Sequence, residues 1–227
     1  IMSKQLNYQN FIKELSDNLK SINQKVLLVA VSKTKPLRDI LGLYSLGQRD
    51  FGENYAQELR DKIKATTKHQ DDISWHYIGQ IQQNKIKYFA GKATLVHTVD
   101  SLKTASMINE FCLKKNLFQD ILLQINVSED LNKGGARFEE AQELYSKIVK
   151  LERLNIKGLM TITEYSKDPE HSRTDYRKMK NLSLDIEKRY GCKLELSMGM
   201  SNDYRVALEE GSTIIRVGTK IFGERTK

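Results

Sequence analysis

Val26-Leu-Leu-Val-Ala-Val-Ser-Lys-Thr-Lys-Pro36 is the stretch whose reading decides the fold. A run of apolar, partly β-branched residues bounded by a proline has the length and composition of a strand covered on both faces, as in a parallel sheet. Side chains alternate along such a strand, so Val29, Val31 and Lys33 point to one side while Leu28, Ala30 and Ser32 point to the other. Lys33 therefore continues an apolar row. Two readings stay open for it. Either the strand has ended and the ammonium snorkels into water, or the amine stands partly desolvated at the mouth of a sheet, with a lowered pKa that makes it nucleophilic toward an aldehyde.

Outward from this stretch, strand and helix patterns alternate. Apolar residues at Phe11, Ile12, Leu15 and Leu19 predict a helix over Asn7 to Leu19, able to cover one end of a sheet. Leu37 to Leu46 reads as a helix stopped by Gly47, and Arg49 to Asn54 as the second strand, followed by a helix from Tyr55 to Ala65. Ser74 to Gly79, Thr94 to Asp100 and Asp120 to Val127 are the third, fourth and fifth strands, with helices over Lys85 to Phe89, Leu102 to Lys115 and Phe138 to Leu151. Ile156 to Thr163 is the sixth strand, and a long helix from Ser172 to Tyr190 ends at Gly191. Lys193 to Met198 and Thr213 to Val217 are the seventh and eighth strands, separated by a short helix from Asp203 to Glu210. Eight strand-helix units in 227 residues argue for a single-domain α/β fold, a closed (β/α)8 TIM barrel with an extra N-terminal helix. An open Rossmann-type sheet would carry GxGxxG after its first strand, where Ser-Lys-Thr-Lys-Pro stands instead.

Composition narrows the function classes. The 37 basic and 29 acidic residues give a net charge of +8 spread along the chain, which favours a solvated surface over nucleic-acid binding. Cys112 and Cys192 have no partner spacing, so reduced packing cysteines and no metal site are expected. No segment approaches the roughly 20 apolar residues of a membrane span and no signal-peptide pattern precedes the first helix. A cytoplasmic location is expected.

In such barrels the chemistry sits at the C-terminal ends of the strands, and phosphate commonly binds after strands seven and eight. Those loops read Ser197-Met-Gly-Met-Ser-Asn-Asp203 and Arg216-Val-Gly-Thr-Lys-Ile-Phe-Gly223. Each has a glycine and a hydroxyl, Gly199 with Ser201 and Gly218 with Thr219, the makings of an anion cradle. Tight turns and a helix cap at Ser201 explain the same residues. Arg216 either enters the barrel mouth or faces the helix layer, and its charge needs an acceptor, Glu53 or a ligand. Asn54 caps its helix or reaches a ligand. His76 and His97 read as satisfied structural histidines, and Trp75, Tyr77 and Phe222 as packing.

Ala30-Val-Ser-Lys-Thr-Lys-Pro36, Phe51-Gly-Glu-Asn-Tyr55, His76-Tyr-Ile-Gly79 with Asn84-Lys85, Gly158-Leu-Met160, Leu196-Ser-Met-Gly-Met-Ser201, and Arg216-Val-Gly-Thr219 with Ile221-Phe-Gly223 closely resemble the pyridoxal phosphate homeostasis protein family. The likeness runs in order over nearly the whole chain. It implies a barrel like the N-terminal domain of alanine racemase, holding pyridoxal 5'-phosphate (PLP) as a Schiff base on Lys33. It further implies Arg216 facing the pyridine nitrogen, Gly218, Thr219 and Ser201 around the phosphate, and Asn54 lining the site. An arginine beside that nitrogen disfavours its protonation and makes the ring a poorer electron sink. Relatives differ at two places: Asn202 replaces an acidic residue, and Gly134, in Asn132-Lys-Gly-Gly135, replaces a common serine. Lys133 is a candidate second amine.

The function so implied is non-catalytic PLP homeostasis, with apo PLP-dependent enzymes as recipients, no nucleic-acid or membrane partner, and a monomer expected. The alternative is a PLP-dependent amino-acid racemase, which needs a second acid/base facing Lys33. Racemase relatives draw that group from an added domain and a partner subunit, and with the chain ending eight residues after Thr219 no such domain is expected. A barrel enzyme acting on a phosphorylated sugar through Lys33 is the third class.

Overall fold

In the computed structural model, which describes residues 2–66, 71–130 and 133–224, β1 (Leu27–Val31) pairs in parallel with β2 (Asp50–Glu53) and with β9 (Ile214–Val217). The ladder continues from β2 through β3 (Ser74–Tyr77), β4 (Leu95–Val99), β5 (Gln119–Asn126), β7 (Leu154–Met160) and β8 (Glu195–Ser197), always parallel. β8 then meets β9, and eight strands close into a barrel. A two-residue strand, β6 (Ala136–Arg137), pairs with the end of β5 outside the ring, in a stretch that reads in sequence as loop.

Alternation sorts the side chains into two layers. Val29, Leu95, Leu122, Met160 and Ile214 fill the barrel interior, while Ala30, Phe51, Tyr77, Leu123, Leu159 and Ile215 belong to the core beneath the helices. The helices are α2 (Leu37–Tyr44), α3 (Ala56–Ala65), α4 (Ile86–Phe89), α5 (Leu102–Lys115), α6 (Ala141–Ile148), α7 (Arg173–Tyr190), α8 (Tyr204–Glu209) and α9 (Thr219–Phe222). α4 and α6 begin with 3-10 turns at Gln83–Lys85 and Phe138–Glu140, so both are shorter than their apolar spacing suggests. No described helix is long and apolar enough to cross a membrane.

The first helix, α1 (Met2–Ile22), outruns its predicted bounds and joins the helix ring. α9 is a single turn, and α1 packs against it and against α8 and α2. Phe11 meets the Tyr204 ring edge-on with centroids 5.3 Å apart, and Tyr204 Oη donates to Glu14 Oε1 at 2.5 Å. At the other end of α1, Lys4 pairs with Asp39 on α2.

Two irregularities break strict alternation. Ile121 pairs with Ile156 but Leu122 pairs with Gly158, so Lys157 is an extra residue in β7. Ile156 consequently packs in the outer core, whereas Met160 faces inward. A second shift lies in β4, between Val96 and Val99. The β7 bulge presses Gly158 against β8 so closely that a Cβ there would stand 1.9 Å from the Glu195 carbonyl oxygen. Because backbone on both sides must move, Gly158→Ala is expected to cost about 2–3 kcal/mol and to lower Tm by about 5 °C or more. Thermal unfolding followed by circular dichroism checks this, and an unchanged Tm contradicts it.

Candidate functional site

Lys33 follows β1 at the C-terminal mouth of the barrel and is half-buried. The turn carrying it is tied down on its outer side. Ser32 N–H donates to Gly52 O at 3.0 Å, and Thr34, which adopts the left-handed region at φ 63°, donates its N–H to Glu58 Oε1 at 2.7 Å. Lys62, almost fully buried on α3, donates to Ser32 O at 2.9 Å and to Glu53 and Glu58 at 2.7 Å each. Ser32 Oγ also donates to Glu53. Glu53 is thus turned toward α3 and away from the interior, and its Oε2 has no partner. Burial pushes its carboxyl up to about 7, against the opposing pull of the Lys62 ammonium.

Arg216 enters the interior. It is 4% exposed and donates from Nη1 to Ser197 Oγ at 2.6 Å and from Nη2 to the Thr161 carbonyl at 2.9 Å. Glu53, the acceptor considered from sequence, lies on the other face of the barrel wall. Burial lowers the guanidinium to about 10, while Tyr176 and Asp203 act in the opposite direction, so the charge persists at neutral pH. A guanidinium has five N–H donors, which leaves Arg216 donors for a ligand.

The loops after β8 and β9 meet. Gly218 N–H donates to Ser201 Oγ at 3.3 Å, and a Cβ on Gly218 would stand 3.4 Å from Val31, so β9 delivers Gly218 and Thr219 beside the end of β1. Ser201 does not cap α8, whose preceding residue is Asp203. Asp203 anchors this loop: its Oδ1 accepts from Met200 N–H at 2.8 Å, and its Oδ2 accepts from Tyr176 Oη at 2.7 Å and from Thr163 and Ser172 hydroxyls at 3.2 Å each.

Asn54 makes no helix cap, since α3 begins at Ala56 after Tyr55 with no side-chain capping bond. Its buried Oδ1 has no hydrogen-bond partner. The position is crowded from behind, because a Cβ on Gly79 would stand 1.8 Å from Asn54 O. An orphaned acceptor at the barrel mouth, an arginine with donors left and a glycine-hydroxyl loop pair together fit an anionic, nitrogen-containing ligand. Among the described residues Lys133 Nζ is also buried without a hydrogen-bond partner, and it lies 4.0 Å from Asp130 Oδ2; Asn132 lies outside the described residues.

The profile described as "Alanine racemase, N-terminal domain" matches residues 12–226. The pyridoxal phosphate homeostasis protein of Aquifex aeolicus is 41% identical over 199 residues, covering 87% of this chain and 86% of its own length. That of Vibrio alginolyticus is 40% identical, covering 89% and 88%. The chain belongs to the pyridoxal phosphate homeostasis protein family. Among solved structures, PipY of Synechococcus elongatus with PLP bound superposes with a TM-score of 0.80 at 30% identity, over 91% of this chain and 99% of PipY.

Within this homeostasis-protein barrel, sequence reading brings Lys33, Asn54, Ser201, Arg216, Gly218 and Thr219 to one mouth, as the structure does. It does not single out Lys62 or Asp203. Lys62 lies on a helix whose i, i+4 pairing with Glu58 looks like an exposed ion pair, and only the fold shows that Glu53 buries it. Asp203 reads as the start of a helix. The burial of Glu53 also carries a pH signature. A carboxyl whose pKa is raised on folding binds more protons in the native state than in the unfolded chain between about pH 4.5 and 7, so stability falls as pH rises through that window. Glu53→Gln is expected to flatten this slope, and urea unfolding of both proteins across the window checks it; parallel pH profiles would contradict the shift.

Proposed function

We propose that this chain holds PLP at the C-terminal mouth of its barrel and serves PLP homeostasis as a carrier without turnover. The observation that carries the reading is the convergence of Lys33, Arg216 and the Ser201–Gly218 contact on adjacent strand ends, in a chain alike over 91% of its length to a protein solved with PLP. Lys33 Nζ is the amine that would hold the cofactor through its aldehyde, as a Schiff base with water as the leaving group. Arg216 would face the pyridine nitrogen, Gly218 and Thr219 with the Ser201 hydroxyl would hold the phosphate, and Asn54 would line the site, where its Oδ1 lacks a partner among the described residues. When bound, PLP supplies a reactive aldehyde and an electron-withdrawing ring.

What the chain's own residues do limits that chemistry. A guanidinium only donates hydrogen bonds and keeps its protons at neutral pH, so a ring nitrogen facing Arg216 would stay unprotonated and withdraw electrons weakly. That suits storing the aldehyde and handing it to apo PLP-dependent enzymes better than stabilising a carbanion. A cytoplasmic, monomeric carrier is the state proposed. The racemase reading draws on the alanine racemase N-terminal domain match. It requires measurable exchange between the enantiomers of alanine.

The purified protein is expected to be yellow or to become so with added PLP, and borohydride reduction is expected to leave a pyridoxyl group on the Lys33 peptide by mass. Lys33→Ala loses both, and neither protein interconverts L- and D-alanine. Failure to take up PLP sinks the reading, while racemisation abolished by Lys33→Ala replaces it with the racemase.

A further inference from the structure

Behind Arg216 a line of hydrogen bonds crosses the barrel interior. Asp50 Oδ1 lies 2.9 Å from His76 Nε2, His76 Nδ1 lies 2.9 Å from His97 Nε2, and His97 Nδ1 lies 2.9 Å from Ser197 Oγ, the atom that accepts from Arg216 Nη1 at 2.6 Å. The side chains come from β2, β3, β4, β8 and β9. His76, His97, Ser197 and Arg216 are each no more than 4% exposed. Asp50 lines an open cavity of about 410 Å³ at the opposite, N-terminal end of the barrel, with Asp120, Lys157 and Glu195.

With His76 neutral, the ends of this line fix every hydrogen within it. An ionised carboxylate only accepts, so His76 Nε2 carries the hydrogen it gives to Asp50. A neutral His76 then accepts at Nδ1, which makes His97 Nε2 a donor. His97 is wholly buried, and burial, with His76 and Arg216 beside it, holds it in the neutral form. Its Nδ1 therefore accepts, and the hydrogen it accepts belongs to Ser197. At the far end Arg216 only donates. Each bond thus points the same way, from the cation at one mouth toward the anion at the other.

We propose that His97 and Ser197 are positioning residues for Arg216: His97 takes the Ser197 hydroxyl hydrogen, which turns a Ser197 lone pair to Arg216 and, with the Thr161 carbonyl, fixes the plane of the guanidinium. Without His97 as acceptor the hydroxyl is free to rotate its hydrogen toward the guanidinium, and Arg216 keeps one anchor in place of two. The inference rests on the PLP reading only where ligand affinity is concerned; the ordering belongs to the protein alone.

Correlation spectra of histidine ring nitrogens in the ligand-free protein at neutral pH test it directly. His76 and His97 are both expected as the Nε2–H tautomer. A His97 protonated at Nδ1, or a His76 protonated at both nitrogens, reverses the line and overturns the proposal. In the same protein the Arg216 Nη hydrogens are expected to be resolved and slow to interchange, to average in Ser197→Ala, and to stay resolved in Ser197→Thr. PLP affinity is expected to fall about tenfold in Ser197→Ala and to recover in Ser197→Thr. Unchanged Arg216 signals in Ser197→Ala overturn the positioning role even if the protein is yellow. Expected tautomers and Arg216 signals in a protein that takes up no PLP support the ordering and discard the cofactor reading.

Discussion

A permanently charged guanidinium inside a closed barrel is the constraint on which the rest of this structure turns. An unpaired charge at 4% exposure is costly, and Arg216 avoids that cost with two neutral acceptors held by other strands. Ser197 on β8 and the carbonyl of Thr161 just past β7 reach Arg216 only because β7, β8 and β9 are consecutive in the ring. Asp203, itself gripped by hydroxyls from three residues, adds a negative charge near enough to favour the ionised arginine and at the same time pins the loop that presents Ser201. Hydrogen bonds join Arg216, Ser197, His97, His76 and Asp50 in one line through the interior, and apolar Val29, Leu95, Leu122, Met160 and Ile214 pack within the barrel.

The outer face of the same wall solves the opposite problem. There the buried charge is the Glu53 carboxylate, and its partner is a cation, Lys62, which also holds the Ser32 carbonyl and Glu58. Alternation along adjacent strands separates these two networks by the thickness of the sheet, so Lys33 emerges between them. Its turn is anchored from outside by carboxylates and faces, across the mouth, a loop anchored by Asp203. An amine held on so constrained a turn has little ordering left to undergo.

The fold was legible because the apolar strand runs, each followed by a helical pattern, leave few arrangements open, and Lys33 and Arg216 stood out as charges continuing apolar rows. What alternation could not show is where it breaks. The bulge at Lys157 shifts Ile156 to the outer core, and nothing in Ile156-Lys-Gly-Leu-Met160 marks it beyond the glycine. The histidines read in sequence as satisfied structural side chains, but their partners lie on strands far away in sequence: His97 and Ser197 are joined only by closure. Asn54 reads two ways in sequence, as a helix cap or as a ligand contact. A cap was a reasonable local reading, and the actual start of α3 two residues later leaves its side chain to the barrel mouth.

The docking of α1 on α8 and α9 bears on how this barrel comes to exist during synthesis. Tyr8, Phe11 and Leu15 are buried in the folded barrel, yet Tyr204 and the α9 turn that help cover them are made long after them. The same is true of β1, whose second neighbour is β9. Until β9 leaves the ribosome, the nascent chain exposes both an apolar helix face and an open parallel edge, two features that invite association with other chains. Ring closure is therefore a late, single event. The cradle of Gly218 and Thr219, the anchored Arg216 and the packed first helix all arrive together with it.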